Sequence, residues 1–139
     1  MFLMDGRGNF YHAEVSLATH KKCLYHIKET LPQEKTWRGH IHLAIAPTKH
    51  IDRMEWLAEK ATEVGFDEIT FLHCAFSERK ALRTDRIEKI VISAAKQSRK
   101  PWIPVVNELE SFKTFIQQPR EGRKFIAHCY DEVAPQNLF

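Results

Sequence analysis

HIDRMEWLAEKATEVG spans His50–Gly65, DEITFLHC spans Asp67–Cys74, SERKALRTD spans Ser77–Asp85 and RIEKIVISAAKQSRK spans Arg86–Lys100, with Pro101 and Pro104 closing the run. In the first piece Ile51, Met54, Leu57, Ala58, Ala61 and Val64 recur at the helical period, so a single apolar stripe is expected to face a core. Gly65 stands where a left-handed residue ends a helix. Ile69-Thr70-Phe71-Leu72 has the length and character of a strand. In the last piece Ile87, Ile90, Val91, Ala94, Ala95 and Ser98 share one half of the helical wheel, and Arg86, Lys89, Lys96, Arg99 and Lys100 share the other. Helix, strand, charged loop and helix in this order predict part of an α/β sheet domain.

Outward from this run the alternation continues. His42-Leu43-Ala44-Ile45-Ala46, bounded by Pro47, reads as a strand buried on both faces of a parallel sheet. Ile103–Val106 reads as another strand. Leu109, Phe112, Phe115 and Ile116 form a third short helical stripe ended by Pro119, and Lys124–Cys129 a last strand. The pattern from residue 40 is β-α-β-α-β-α-β, for which right-handed crossovers and a mostly parallel sheet are expected. Residues 1–30 differ in kind. Phe2–Met4 and Phe10–Val15 flank Asp5-Gly6-Arg7-Gly8-Asn9, a hairpin signal, and Lys22–Lys28 is a weaker strand. Leu31–Thr36 is polar and carries Pro32, so the chain is divided into a β-rich part, residues 1–36, and an α/β part, residues 37–139.

The composition, 43% apolar and 28% charged, is that of an ordinary globular chain. No apolar run is long enough for a membrane helix, and the opening MFLMDGRGNF has no signal-peptide pattern, so a cytoplasmic location with no membrane partner is expected. The three cysteines, Cys23, Cys74 and Cys129, form no C-x-x-C pair. The net charge of +3 is small but unevenly placed. Between Ser77 and Lys100, Arg79, Lys80, Arg83, Arg86, Lys89, Lys96, Arg99 and Lys100 face only Glu78, Asp85 and Glu88, so this window is +5 and the rest is −2. Clustered cations of this kind fit either a solvated helix face or a surface for nucleic-acid phosphates.

No glycine-rich phosphate loop and no nucleophile elbow occur. His73-Cys74 and His128-Cys129 each end an expected strand, but no local ligand spacing supports a metal, and no metal site is assigned. Trp37, Trp56 and Trp102 are candidates for base stacking, with core packing the commoner use.

Lys49-His50-Ile51-Asp52-Arg53-Met54-Glu55, Glu59-Lys60-Ala61-Thr62-Glu63-Val64-Gly65, Ser77-Glu78-Arg79, Ser93-Ala94-Ala95-Lys96-Gln97-Ser98 and Ile103-Pro104, in that order, resemble the RsmE-type family of 16S ribosomal RNA uracil-N3 methyltransferases. Met4-Asp5-Gly6-Arg7-Gly8 through Val15 is similar to the later part of that family's N-terminal barrel. The resemblance implies an α/β fold of the SPOUT (α/β knot) type preceded by a partial, PUA-like β-barrel. It implies S-adenosylmethionine as cofactor, a uridine of 16S ribosomal RNA or the small ribosomal subunit as substrate, and a homodimer for the whole protein. The family's I-G-P-E-G-G-like loop and its later L-G-x-R-I-L-R-x-E-T-A stretch have no counterpart here. The knot is therefore expected to be absent, and the chain to be an internal part of a longer protein with little activity alone. Lys100 stands where the family usually carries arginine. In this reading Glu78, Arg79 and Gln97 are the catalytic candidates, with Ser77 beside them; Arg79 holds phosphate or the target nucleotide and Glu78 orients it. His128 and Cys129 line the adenosine site. Arg79, Lys80, Arg83, Arg86, Lys89, Lys96, Arg99 and Lys100 contact RNA. The alternative is a non-catalytic RNA-binding module that uses only the basic face of residues 77–100.

Overall fold

The computed structural model describes residues 1–127, and its elements form two three-stranded sheets. The first is antiparallel, in the order β1 (Phe2–Met4), β2 (Asn9–Ala18) and β3 (Cys23–Pro32). Its first turn is built by Asp5, whose carboxylate accepts from the backbone N–H groups of Arg7 (2.7 Å) and Asn9 (3.1 Å), the Asn9 side-chain amide (2.7 Å) and the Tyr11 hydroxyl (3.0 Å). The Asn9 amide, followed by the Arg7 N–H, holds this carboxyl well below the usual carboxylate range. The hairpin expected at Asp5-Gly6 is present. The third strand extends beyond Lys28 to Pro32 and so takes in the first two residues of the segment expected to be a linker.

The second sheet is parallel, in the order β4 (His42–Ile45), β5 (Glu68–His73) and β6 (Val105–Ser111). Helix α1 (Ile51–Val64) joins β4 to β5, and α2 (Thr84–Gln97) joins β5 to β6. Both crossovers step in the same direction, so right-handed connections place both helices on one face. There Met54 and Ala58 of α1 and Ile87 and Val91 of α2 close over Ile69 and Phe71 with Phe66. Each of the larger side chains contributes about 1.5–3 kcal/mol by leaving water.

Four expectations need correction. The β4 strand is not buried on both faces: it is an edge strand and Ala44 is exposed. Val64 is not part of the α1 core stripe, being 81% exposed, and Thr62 is buried instead, its hydroxyl donating to the Ala58 carbonyl at 2.6 Å. Leu109 belongs to β6, and helix α3 starts only at Phe112 (Phe112–Gln117). The cause is a bulge: register slips between Thr70 and Phe71, so Val106 and Leu109, three apart, both face the core. Spacing by three reads as a helix although the chain is a strand. Lys124–Ala127 take part in no strand pairing, and the rest of that expected strand lies outside the described residues.

The end of α2 is also informative. Arg99 N–H bonds to the Lys96 carbonyl (3.3 Å) and Lys100 N–H to the Ala95 carbonyl (2.9 Å), the paired bonds of a Schellman termination. The residue in the left-handed position is Arg99, at φ 53°, where glycine is usual. Arg99→Gly should therefore raise the unfolding free energy by up to about 1 kcal/mol, read by urea denaturation, because a side chain there is strained and the looser unfolded chain offsets part of the relief. A loss of stability would show that the side chain holds compensating contacts.

Candidate nucleic-acid interface

The carboxyl edge of a parallel sheet is where α/β folds place ligands, and here it carries the loops after β4 and β5. Ser77 closes the turn after β5: its hydroxyl accepts from Cys74 N–H at 2.9 Å, and its own N–H donates to the Cys74 carbonyl at 3.1 Å. The Arg79 guanidinium then donates to the carbonyls of Thr48 (Nε, 3.2 Å) and Lys49 (Nη2, 2.6 Å), so it staples the 74–83 loop to the β4–α1 loop. Glu78 is exposed and makes no pair with Arg79 among the described residues. The expected orienting role of Glu78 is thus replaced by two backbone carbonyls. At the start of α2, Thr84 is buried and its hydroxyl donates to Glu108 Oε1 at 2.5 Å, the residue that the β6 bulge turns toward it.

Of the eight cations, three are committed within the fold. Arg79 is pinned as described, Arg83 pairs with Asp85 (2.9 Å) and Arg86 donates to Glu55 (2.9 Å). Lys80, Lys89, Lys96, Arg99 and Lys100 have no carboxylate partner among the described residues. Lys80 lies in the loop, Lys89 and Lys96 on α2, and Arg99 and Lys100 just beyond its end. Gln97 is the last residue of α2. Helix α2 returns from the carboxyl edge of the sheet toward the amino edge, so about 20 Å of helix separates Gln97 from the Ser77–Arg79 loop. The structure does not bring Gln97 together with Glu78 and Arg79. His128 and Cys129 lie outside the described residues, and among the described residues no group of three His, Cys, Asp or Glu is arranged for a metal.

The opposite edge holds a cluster for which the sequence has no local signal. Asp67 is buried and accepts from Lys35 Nζ, from Trp37 Nε1 (2.8 Å) and from Ile41 N–H (2.8 Å). Burial alone would raise its pKa; the Lys35, Ile41 and Trp37 hydrogen bonds outweigh it and hold the carboxyl below its ordinary value. Its N–H donates to the Ile41 carbonyl (2.9 Å) and its carbonyl accepts from Val105 N–H (2.9 Å). The antiparallel sheet joins here: Gly8 N–H donates to the Pro101 carbonyl (3.0 Å), Ile103 N–H to the Gly6 carbonyl (3.0 Å), and Arg7 bridges Trp102. On the sheet face away from α1 and α2, Glu68 accepts from Asn107 Nδ2 (2.6 Å) and lies 3.1 Å from His40 Nε2. Burial would raise its pKa, but Asn107 and His40 keep it lowered.

Residues 35–138 match the family described as an RNA methyltransferase domain. Among solved structures, a probable ribosomal RNA methyltransferase from Porphyromonas gingivalis is 41% identical with a TM-score of 0.81, over 86% of this chain and 50% of that one. A putative methyltransferase from Legionella pneumophila in complex with the bound cofactor SAM is 25% identical with a TM-score of 0.82, over 91% and 55%. The fold is also that of a ribosomal RNA small subunit methyltransferase E from Neisseria gonorrhoeae bound to S-adenosyl methionine, 22% identical with a TM-score of 0.74, over 86% and 51%. The chain thus spans about half the length of these structures.

Proposed function

Because the chain belongs to the RNA methyltransferase domain family, and to its RsmE type, we propose that it supplies the RNA-docking half of an enzyme that methylates N3 of a uridine in 16S ribosomal RNA. The observation that carries this is the set of five cations left without carboxylate partners, Lys80 in the loop, Lys89 and Lys96 on α2, and Arg99 and Lys100 just past its end. Residues 37–139 are taken as the catalytic-domain portion and residues 1–36 as a partial β domain, in a cytoplasmic protein that acts as a homodimer.

S-adenosylmethionine, when bound, supplies an electrophilic methyl on a sulfonium. Among the described residues no glycine lies in the loops after β4 or β5, so these loops do not by themselves make a complete cradle for it. What this chain does is hold the substrate. Arg79, fixed to two carbonyls, sets the shape of the loop edge and acts as a positioning residue. The unpartnered lysines take phosphates and so bring the uracil to one orientation, and such positioning supplies much of the rate in a bimolecular transfer.

Two measurements test the reading. Disrupting the gene should remove 3-methyluridine from 16S ribosomal RNA, by nucleoside mass spectrometry; its persistence removes the N3 assignment. For the chain itself, joint replacement of Lys80, Lys89 and Lys96 by alanine should weaken binding of a 16S ribosomal RNA fragment at least tenfold at low salt. The same change should reduce the salt slope by about 2, since each lost single-strand phosphate contact removes about 0.7. Unchanged binding would show a solvated face only.

A further inference from the structure

The seam between the two sheets carries chemistry that the loop edge does not use. Trp102 Nε1 is shielded from solvent and has no acceptor among the described residues. The indole lines a cavity of about 200 Å³, on the scale of a single nucleobase, with Lys35, Phe66, Asp67 and Val105 among its walls. Lys35 Nζ lies 5.3 Å from the Trp102 ring centre and 5.8 Å from that of Trp37, and Lys100 Nζ lies 5.7 Å from Trp37. Ammonium groups resting over indole faces are already partly ordered before a ligand arrives. Arg99 precedes Lys100 in its enforced left-handed conformation. The carboxylate in this cluster, Asp67, is committed to Lys35, Trp37 and Ile41.

Aromatic rings interleaved with cations are what single-stranded nucleic acid uses, because every base has a face to stack and every nucleotide a phosphate. We propose that this seam binds one unpaired nucleotide of an RNA strand, its base resting in the cavity against the Trp102 side chain and its phosphate meeting Lys100 and Arg99. This rests on the RNA reading above and adds a second anchor to it. The seam lies at the start of β5 and the Ser77 loop beyond its end, so the two contacts are about 20 Å apart along the strand direction. A strand held at both must run several nucleotides beyond the base presented at the loop edge.

The test starts from Trp56→Phe, which removes the tryptophan that is 62% exposed on α1, so that emission reports Trp37 and Trp102. Titration with a short unstructured uridine-rich RNA should quench this emission in step with binding measured by filter retention. Trp102→Phe, which shrinks the aromatic wall of the cavity, should weaken binding about fivefold or more, as expected for a reduced base–aromatic contact, and a retained cooperative unfolding transition shows that the seam is still folded. Lys100→Gln together with Arg99→Gln should lower the salt slope by about 1. RNA that binds with unchanged emission and unchanged affinity in Trp102→Phe would overturn the seam site and leave the loop edge standing. No RNA binding by the parent chain overturns both readings. Inorganic phosphate producing the same quench at the same concentration overturns the nucleotide assignment in favour of a free-anion site.

Discussion

Gly8→Ala should lower the unfolding free energy by about 3 kcal/mol, the sum of a left-handed backbone penalty of about 1–2 kcal/mol and an overpacking cost of about 1–3 kcal/mol. Gly8 is buried at φ 104°, and a Cβ there would come within 2.2 Å of Trp102 Cζ2. The indole cannot yield cheaply. The chain on either side of it is tied down by Pro101 accepting from Gly8 and Ile103 donating to Gly6. Gly39→Ala is the matched control, because Gly39 is also left-handed, at φ 76°, but its Cβ would meet nothing within 4 Å. Its cost should be the backbone penalty alone, about 1 kcal/mol. Urea denaturation of the two variants measures the difference. Equal losses would mean that the Trp102 ring shifts freely and that the seam is not tightly packed.

Asp67→Ala is expected to cost about 3 kcal/mol, because it leaves Lys35, Trp37 Nε1 and Ile41 N–H without their acceptor at one stroke. The Asp67 side chain is only 6% exposed but that of Lys35 is 33%, so the cost falls at the low end for a broken buried pair. The same carboxylate makes stability pH-dependent. Its folded-state pKa is depressed, so at low pH the unfolded chain binds the proton more readily than the folded one. The stabilisation is therefore fully present above the unfolded carboxylate value of about 3.9 and is lost as pH falls through the folded value. Asp5 and Glu68 are also depressed and add to the acid limb, so the difference between the parent and Asp67→Asn isolates the Asp67 part. That difference should shrink below about pH 4. A difference that stays constant down to acid unfolding would place the stabilisation in packing and not in charge.

Asp67 also marks the limit of sequence reading. Its partners Lys35 and Trp37 are some thirty residues away, and nothing in the neighbourhood of any of the three points to the others. The same holds for Arg79. As one of a run of cations it reads as a phosphate ligand, yet the fold places two carbonyls from another loop within its reach, and these take its guanidinium. Resemblance groups Glu78 and Gln97 with it, but the length of α2 separates Gln97 from the loop.

By itself the sequence determined what is periodic or local. The apolar stripes place α1 and α2 within three residues of their observed ends, Asp5-Gly6 marks the hairpin, and the alternation of helix and strand implies a parallel sheet with right-handed crossovers. It also located the excess of positive charge, because charge density needs no contacts to be counted. Tertiary structure alone decided which cations remain unpartnered, where β6 bulges and what joins the two sheets. Those outcomes depend on groups distant in sequence meeting at hydrogen-bonding range, where a shift of an ångström changes the partner and no local pattern records the choice.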